Sequence, residues 1–219
     1  MPKLLYLGLD PSQTLQSDVE VIHHPILHIV ARPWDALEMY SIFQDWPAYT
    51  HLLVTSKQAV ALLMGALRFH HIESREHITV IAVGEKTASA LKGASWKKIV
   101  VSTNERQEGI IELLKKERFN ERSYLFFPRS ARARPLIEQF FLCRALRHQI
   151  LSLYDTEESS SPLPENLEEF DEIMFTSPST VSFFFHKIRT LPQRPKLRAI
   201  GEVTWQNLQR AIMIYQTRL

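Results

Sequence analysis

From His51 the chain reads HLLVTSKQAVALLMGAL, and its hydrophobic period changes partway along. The first four residues form a short apolar run that ends in Thr55-Ser56, the pattern of a buried strand. Beyond it, Val60, Leu63, Met64 and Leu67 recur at i, i+3, i+4 and i+7, the stripe of an amphipathic helix. The same change takes place 121 residues later. There EIMF runs into Thr176-Ser177, and Val181, Phe184, Phe185 and Ile188 take the stripe positions.

A second pair of segments matches in the same way. ITVIAVGEKTASAL carries Gly84-Glu85, then Thr87, Ala88 and Leu91. KLRAIGEVTWQNL carries Gly201-Glu202, then Thr204, Trp205 and Leu208, 117 residues further on. Each reads as a strand, a glycine turn and a helix with threonine in its first turn. A third strand is expected after each, at 98–101 (KIVV) and at 212–215 (IMIY). The chain thus holds two copies of a strand–helix–strand–helix–strand unit, an alternation that implies parallel sheets flanked by helices.

After the first copy the pattern predicts a helix over 108–118, a strand over 124–127, a helix over 132–147 and a strand over 149–153. The second copy has no room for these. The N-terminus supplies a strand in KLLYLGL, a helix near 11–17 and a strand in VEVIHH, which we assign to the second copy. The fold class expected is α/β, with two domains, each a five-stranded, mainly parallel sheet flanked by helices. Domain A is discontinuous, 1–33 with 157–219, and domain B, 36–153, is inserted into it. The return crossing holds TEESSSPLPEN, a Ser/Pro-rich linker.

This layout explains where the hydroxyls sit. In open parallel sheets, ligands bind at the carboxyl ends of the strands. Helix N-termini there present unpaired N–H groups and partial positive charge. Thr55, Ser56, Gly84, Thr87, Thr176, Ser177, Ser179, Thr180, Gly201 and Thr204 all fall at such ends. Two facing domains would form a cleft ringed by anion-receptive turns, suited to a flexible ligand with several carboxylates. The plainer alternative is that Ser and Thr simply cap the helices and that Gly84 and Gly201 only ease tight turns.

Composition narrows the choice. Over 219 residues, apolar content is 45% and charged content 23%, ordinary for a globular protein. Net charge is only +2, which does not call for a nucleic-acid partner. No apolar run approaches the ~18 residues of a membrane span, and MPKLLYLGLD lacks the pattern of a signal peptide. The single cysteine, Cys143, allows no internal disulfide and fits a reducing, cytoplasmic setting. His23-His24 and His70-His71 are adjacent pairs, which do not share a helix face, so no metal site is expected. The six glycines form neither a Walker-type loop nor a dinucleotide fingerprint.

The segments LLVTSKQAV, AVGEKTASAL, YDT, MFTSPSTV and AIGEVTWQNL, in this order and spacing, resemble the uroporphyrinogen-III synthase family from about Lys3 to Tyr215. The resemblance implies two α/β domains joined by a two-stranded linker, with the substrate in the cleft between them. It implies a cofactor-free lyase of heme biosynthesis. In that reaction the linear tetrapyrrole hydroxymethylbilane is dehydrated, its last pyrrole ring is inverted, and the macrocycle closes as uroporphyrinogen III. By position, Tyr154 falls on the family's tyrosine after the last strand of the inserted domain. Thr176, Ser177, Ser179, Gly201 and Thr204 fall on the substrate-binding turns of the outer domain, and Ser56 and Thr87 on those of the inserted one. Two departures stand out. Gly8-Leu9-Asp10-Pro11 replaces the usual polar turn, and YQTRL comes where the family adds a further helix, so thinner helical cover is expected on one side of domain A.

The chemistry asks for little from the protein. Water must be helped to leave, and the chain must be held curled. A phenol suits the first task as a weak acid or oriented donor, and we assign it to Tyr154. Backbone N–H groups suit the second. Five arginines, 129, 132, 134, 144 and 147, either form a solvated face or attract a polycarboxylate. Of these, Arg129, with Ser130 beside it at a strand end, is the one expected to face the ligand. A small-molecule substrate and a monomer are expected, without nucleic acid or membrane. The rival reading is a two-domain binding protein for a polycarboxylate that catalyses nothing, in which Tyr154 would be dispensable.

Overall fold

In chain order the elements are β1 (Lys3–Tyr6), β2 (Glu20–His23), β3 (Leu27–Ala31), α1 (Leu37–Gln44), β4 (His51–Val54), α2 (Lys57–Phe69), β5 (Thr79–Ala82), α3 (Glu85–Gly93), β6 (Ile99–Val101), α4 (Gln107–Lys116), β7 (Leu125–Ser130), α5 (Leu136–Cys143), β8 (His148–Glu158), β9 (Glu172–Phe175), α6 (Pro178–Lys187), β10 (Lys196–Ala199) and α7 (Glu202–Gln216). They come from a computed structural model that describes residues 1–11, 18–73 and 75–217. Of the helix expected over 11–17, residues 12–17 fall outside the described residues. The chain divides into two compact units, Met1–Ile29 with Thr156–Leu219, and Val30–Asp155.

The discontinuous unit holds a sheet in the order β10-β9-β1-β2. Every pairing in it is parallel, with Leu5 opposite Ile173 and Ile22. Five strands were expected here, and four are present among the described residues. The segment 212–215, read as the fifth strand, is instead the last turn of α7. The physical reason is continuity. No Gly, Pro or Asn separates Leu208 from Ile212, and Thr204, Leu208, Ala211, Ile212 and Tyr215 keep a helical spacing along the buried and half-buried side. The core is made by Leu5, Leu7, Ile26, Ile173, Phe175, Val181, Phe184 and Leu208. Phe175 and Phe184 meet edge to face at 5.1 Å, a favoured aromatic geometry. The stripe foreseen on α6 points as expected. Val181 and Phe184 are buried, and Phe185 and Ile188 pack against the same cluster.

The sheet that continues through the inserted unit has six strands among the described residues, β3-β8-β7-β4-β5-β6, where five were expected. The extra strand is β3, whose neighbour is the eleven-residue β8. Central β4 is buried on both faces, with Leu52, Leu53 and Val54 all fully buried, as a parallel strand covered by helices must be. The helix expected over 132–147 shrinks to Leu136–Cys143. Pro135 starts it, because proline disfavours the helical conformation in the residue before it, and Ala145 at a φ of 49° ends the run. Helix α1 was not anticipated, although Met39, Ile42, Phe43 and Trp46 carry its spacing and are all buried.

Candidate functional site at the carboxyl ends of the strands

In the inserted unit, Thr55 and Ser56 follow directly on β4. Ser56 is the N-cap of α2, with its backbone extended and its side-chain oxygen accepting the Ala59 N–H at 3.0 Å. The same oxygen lies 3.1 Å from the phenol oxygen of Tyr154. Tyr154 sits on β8 opposite Ser130, next to a register irregularity between Arg129 and Ser130. Its carbonyl accepts the Ala131 N–H at 2.9 Å. Only 6% of the residue is exposed. Burial pushes its pKa up, and the bond to Ser56 works in the opposite direction. At neutral pH the phenol therefore keeps its proton.

Gly84 begins α3 at the end of β5. A Cβ built there would lie 2.5 Å from a carboxylate oxygen of Glu105. An exposed acidic side chain thus rests against the first turn of a helix, where partial positive charge favours it. Glu105 was not foreseen, since nothing in its local sequence marks it. Gly201, the corresponding N-cap of α7, is exposed, and among the described residues nothing stands within 4 Å of where its Cβ would be.

The turn after β9 corrects one expectation. It was read as a run of free N–H groups. Instead, the Thr180 hydroxyl accepts from the Thr176 and Ser177 N–H groups, both at 3.1 Å, and donates to the Ser177 carbonyl at 2.7 Å. The Ser177 hydroxyl accepts the Thr180 N–H in return, at 3.2 Å. This reciprocal cap consumes the donors locally. Thr180 is fully buried and its hydroxyl serves the turn, so it is not a ligand contact. Thr87 and Thr204 hold the same third helical position in α3 and α7, and they too are buried. Thr176, Ser177 and Ser179 remain half-buried at the open end.

Beside this turn, Gly8, two residues past the end of β1, packs on the Thr176 side chain. The Gly8 carbonyl accepts from Nε2 of His23 at 2.9 Å. A carbonyl cannot donate, so the proton must sit on Nε2. Tyr6 meets the imidazole edge-on at 5.9 Å. Gly8 and His23 were not named as candidates, although a glycine immediately after an apolar strand is a readable signal.

The arginine cluster is corrected as well. Arg129 is turned inward, donating to the Ala133 carbonyl at 3.1 Å and to Glu138 at 3.0 Å. Arg134 grips Glu108 with two bonds of 2.7 and 2.9 Å. Arg144 lies over Phe140 and Arg147 over Tyr124. These four cations hold their own unit together, so Arg129 is not the exposed anion receptor expected. Ser130 stays half-buried, accepting the Arg132 N–H. Among the described residues no group of three or more His, Cys, Asp or Glu could hold a metal ion, and no helix is long and apolar enough to cross a membrane.

The fold has solved counterparts. A substituted uroporphyrinogen III synthase from the extremely thermophilic bacterium Thermus thermophilus superposes with a TM-score of 0.67 at 21% identity, over 96% of this chain and 89% of that one. The uroporphyrinogen-III synthetase of Helicobacter pylori superposes with a TM-score of 0.64 at 16% identity, over the whole of both chains. No curated protein matches the sequence. At such identities the superpositions speak for the fold, and the sequence itself carries the lineage. The model of the family described as uroporphyrinogen-III synthase HemD matches residues 12–213, nearly the full length, and the chain belongs to that family.

Proposed function

We propose that this chain is a lyase that converts hydroxymethylbilane to uroporphyrinogen III, with loss of water and inversion of the last pyrrole ring. Tyr154 is the donor to the departing hydroxyl. Membership of the family over residues 12–213 supplies the reaction. The observation that carries the assignment of Tyr154 is its phenol, buried in the inserted unit beside the N-cap of α2, 3.1 Å from Ser56. A buried phenol whose pKa is raised holds its proton at neutral pH, so it is present as a donor to a leaving hydroxyl.

The substrate carboxylates are read as partners of the turns that remain open. These are Thr55, Thr176, Ser177, Ser179 and Gly201, whereas Ser56 is turned to Tyr154 and the start of α3 at buried Gly84 is already covered by the Glu105 carboxylate. Open space above Gly201 suits a carboxylate approaching the first N–H groups of α7. Thr87, Thr180 and Thr204 support these turns from beneath. The enzyme is placed in the cytoplasm and works as a monomer without a cofactor.

The test is a coupled assay in which purified protein receives freshly made hydroxymethylbilane. Formation of the type III isomer above the spontaneous type I background is expected. Tight binding of the tetrapyrrole with only the type I product would leave a binding protein and remove the catalytic reading.

A further inference from the structure

Ser56 carries one proton and two lone pairs on an oxygen that meets two partners. The Ala59 N–H, at 3.0 Å, can only donate, so it takes a lone pair. Toward Tyr154, at 3.1 Å, either oxygen can donate. If the phenol donated to Ser56, its proton would be committed and unable to reach a leaving hydroxyl. If Ser56 donates, the phenol proton is free.

We propose that Ser56 is a positioning residue that acts through Tyr154, donating its hydroxyl proton to the phenol oxygen so that the phenol proton is directed to the departing hydroxyl and the phenolate left behind is held. The proposal rests on the reading of Tyr154 as the donor. Three features of the site favour this direction. The Ala59 N–H polarises the Ser56 O–H and makes it a better donor, as linked hydrogen bonds do. The N-terminus of α2 lies at Ser56, and its partial positive charge favours negative charge gathering on the phenol oxygen. Burial opposes the phenolate, and the Ser56 bond opposes that effect.

The step balances. The Tyr154 proton passes to the hydroxyl oxygen of the substrate, and the C–O bond breaks with its electron pair leaving on water. Ring electrons of the adjacent pyrrole fill the deficit at the methylene carbon. Inversion of the last pyrrole ring breaks its existing C–C bond to the chain and forms two new ones, and on closure the ring sheds a proton, which returns to the phenolate. Water is the only leaving group, and no oxidant or reductant is required.

The test is a kinetic double-mutant cycle on the full chain, with kcat and KM for type III product measured for Ser56→Ala, Ser56→Gly, Ser56→Thr, Tyr154→Phe and the Ser56→Gly/Tyr154→Phe pair. Glycine is included because it is tolerated at an N-cap with little loss, so a folded variant without the hydroxyl is available even if alanine unfolds the unit. We expect Ser56→Gly to lower kcat about tenfold with KM little changed, and Ser56→Thr to restore it. In the Tyr154→Phe background, removal of Ser56 should cost nothing further, since effects of groups that act as one are not additive. If Tyr154→Phe is slow and removal of Ser56 multiplies the loss by the same factor as in the wild type, Ser56 touches substrate on its own account and the proposal is overturned. A loss confined to KM, or no loss at all, overturns it too. If Tyr154→Phe turns over at the wild-type rate, the reading of Tyr154 fails first and takes this proposal with it.

Discussion

Gly8 and Thr176 occupy each other's space. A Cβ placed on Gly8 would lie 2.6 Å from both Cγ2 and Oγ1 of Thr176, and 2.9 Å from the Tyr6 ring. The turns that end β1 and β9 can therefore lie side by side only because residue 8 has no side chain. Real Cβ contacts do not come so close, and Thr176 is β-branched and stiff about its first torsion. Overpacking costs about 1–3 kcal/mol, and the smaller unfolded-state entropy of alanine returns about 0.4–1 kcal/mol. Gly8→Ala should lower unfolding stability by about 1–2 kcal/mol in denaturant titrations. Thr176→Ala removes both crowding atoms. The double variant should then be more stable than the sum of the single losses, and strict additivity would show that the two residues do not press on each other.

Thr180 makes a sharper prediction about the neighbouring turn. Its hydroxyl takes two backbone N–H groups and gives to one carbonyl, all in a fully buried position. Thr180→Val keeps the shape and strands two donors. Each buried donor left without a partner costs about 1–3 kcal/mol, and because these two are only partly buried the loss falls toward the low end, about 2–4 kcal/mol. Ser177→Ala removes one cap bond and should cost about 1 kcal/mol. If Thr180→Val proves the milder of the two, the hydroxyl is not the hub of the turn.

These contrasts show what was legible in the sequence. The repeated Thr-Ser after an apolar tetrad marked two strand ends correctly, since β4 and β9 do end at Val54 and Phe175. That reading works because strand and helix periods differ enough to locate their junction. Which hydroxyl faces out could not be read. Ser177 and Thr180 differ by three positions, and only the helical turn decides that one stays at the open end while the other is buried. Segment 212–215 was misread because a run of Ile, Met and Tyr suits a strand or a helix, and the missing turn signal before it was the deciding clue. The arginines misled for another reason. Their partners Glu108 and Glu138 are brought to them by the packing of α4 and α5 and by the bend after β7, none of which local sequence reveals.

The pairing of Arg134 with Glu108 predicts a pH dependence. The guanidinium bonds hold the Glu108 carboxyl down at about 2, from an ordinary 4.5. A depressed carboxylate stabilises the folded state fully above its unfolded value, and that contribution is lost as pH falls through the folded value. The window is thus from about 4.5 down to about 2. Both side chains are partly exposed, at 40% and 45%, so solvent screening limits the pair to about 0.5–1 kcal/mol. Arg134→Ala should be less stable than wild type by that amount at pH 7, and the gap should close on acid titration. A gap that persists at pH 2 would assign the loss to packing of the arginine stem.

The last prediction concerns Tyr154 and the alkaline side. Burial raises the folded pKa of the phenol above its ordinary 10. Its protonated form, the one that donates, therefore persists from acid pH to beyond 10, and any fall in turnover due to this group must come only above that. Tyr154→Phe removes the proton and leaves the ring. The barrier should rise by ~1.4–4 kcal/mol, a fall in turnover of about tenfold to a thousandfold. Ser56 keeps the Ala59 N–H as its partner in the variant, so folding stability should change by only about 0.5–1.5 kcal/mol. The alkaline descent should vanish from the variant's profile while it remains in the wild type. Matching profiles in the two proteins, with turnover unchanged, would move the donor role to the open serine and threonine turns. A variant that fails to fold would assign the phenol to structure, and the 3.1 Å bond to Ser56 would then be a tie between β8 and the start of α2.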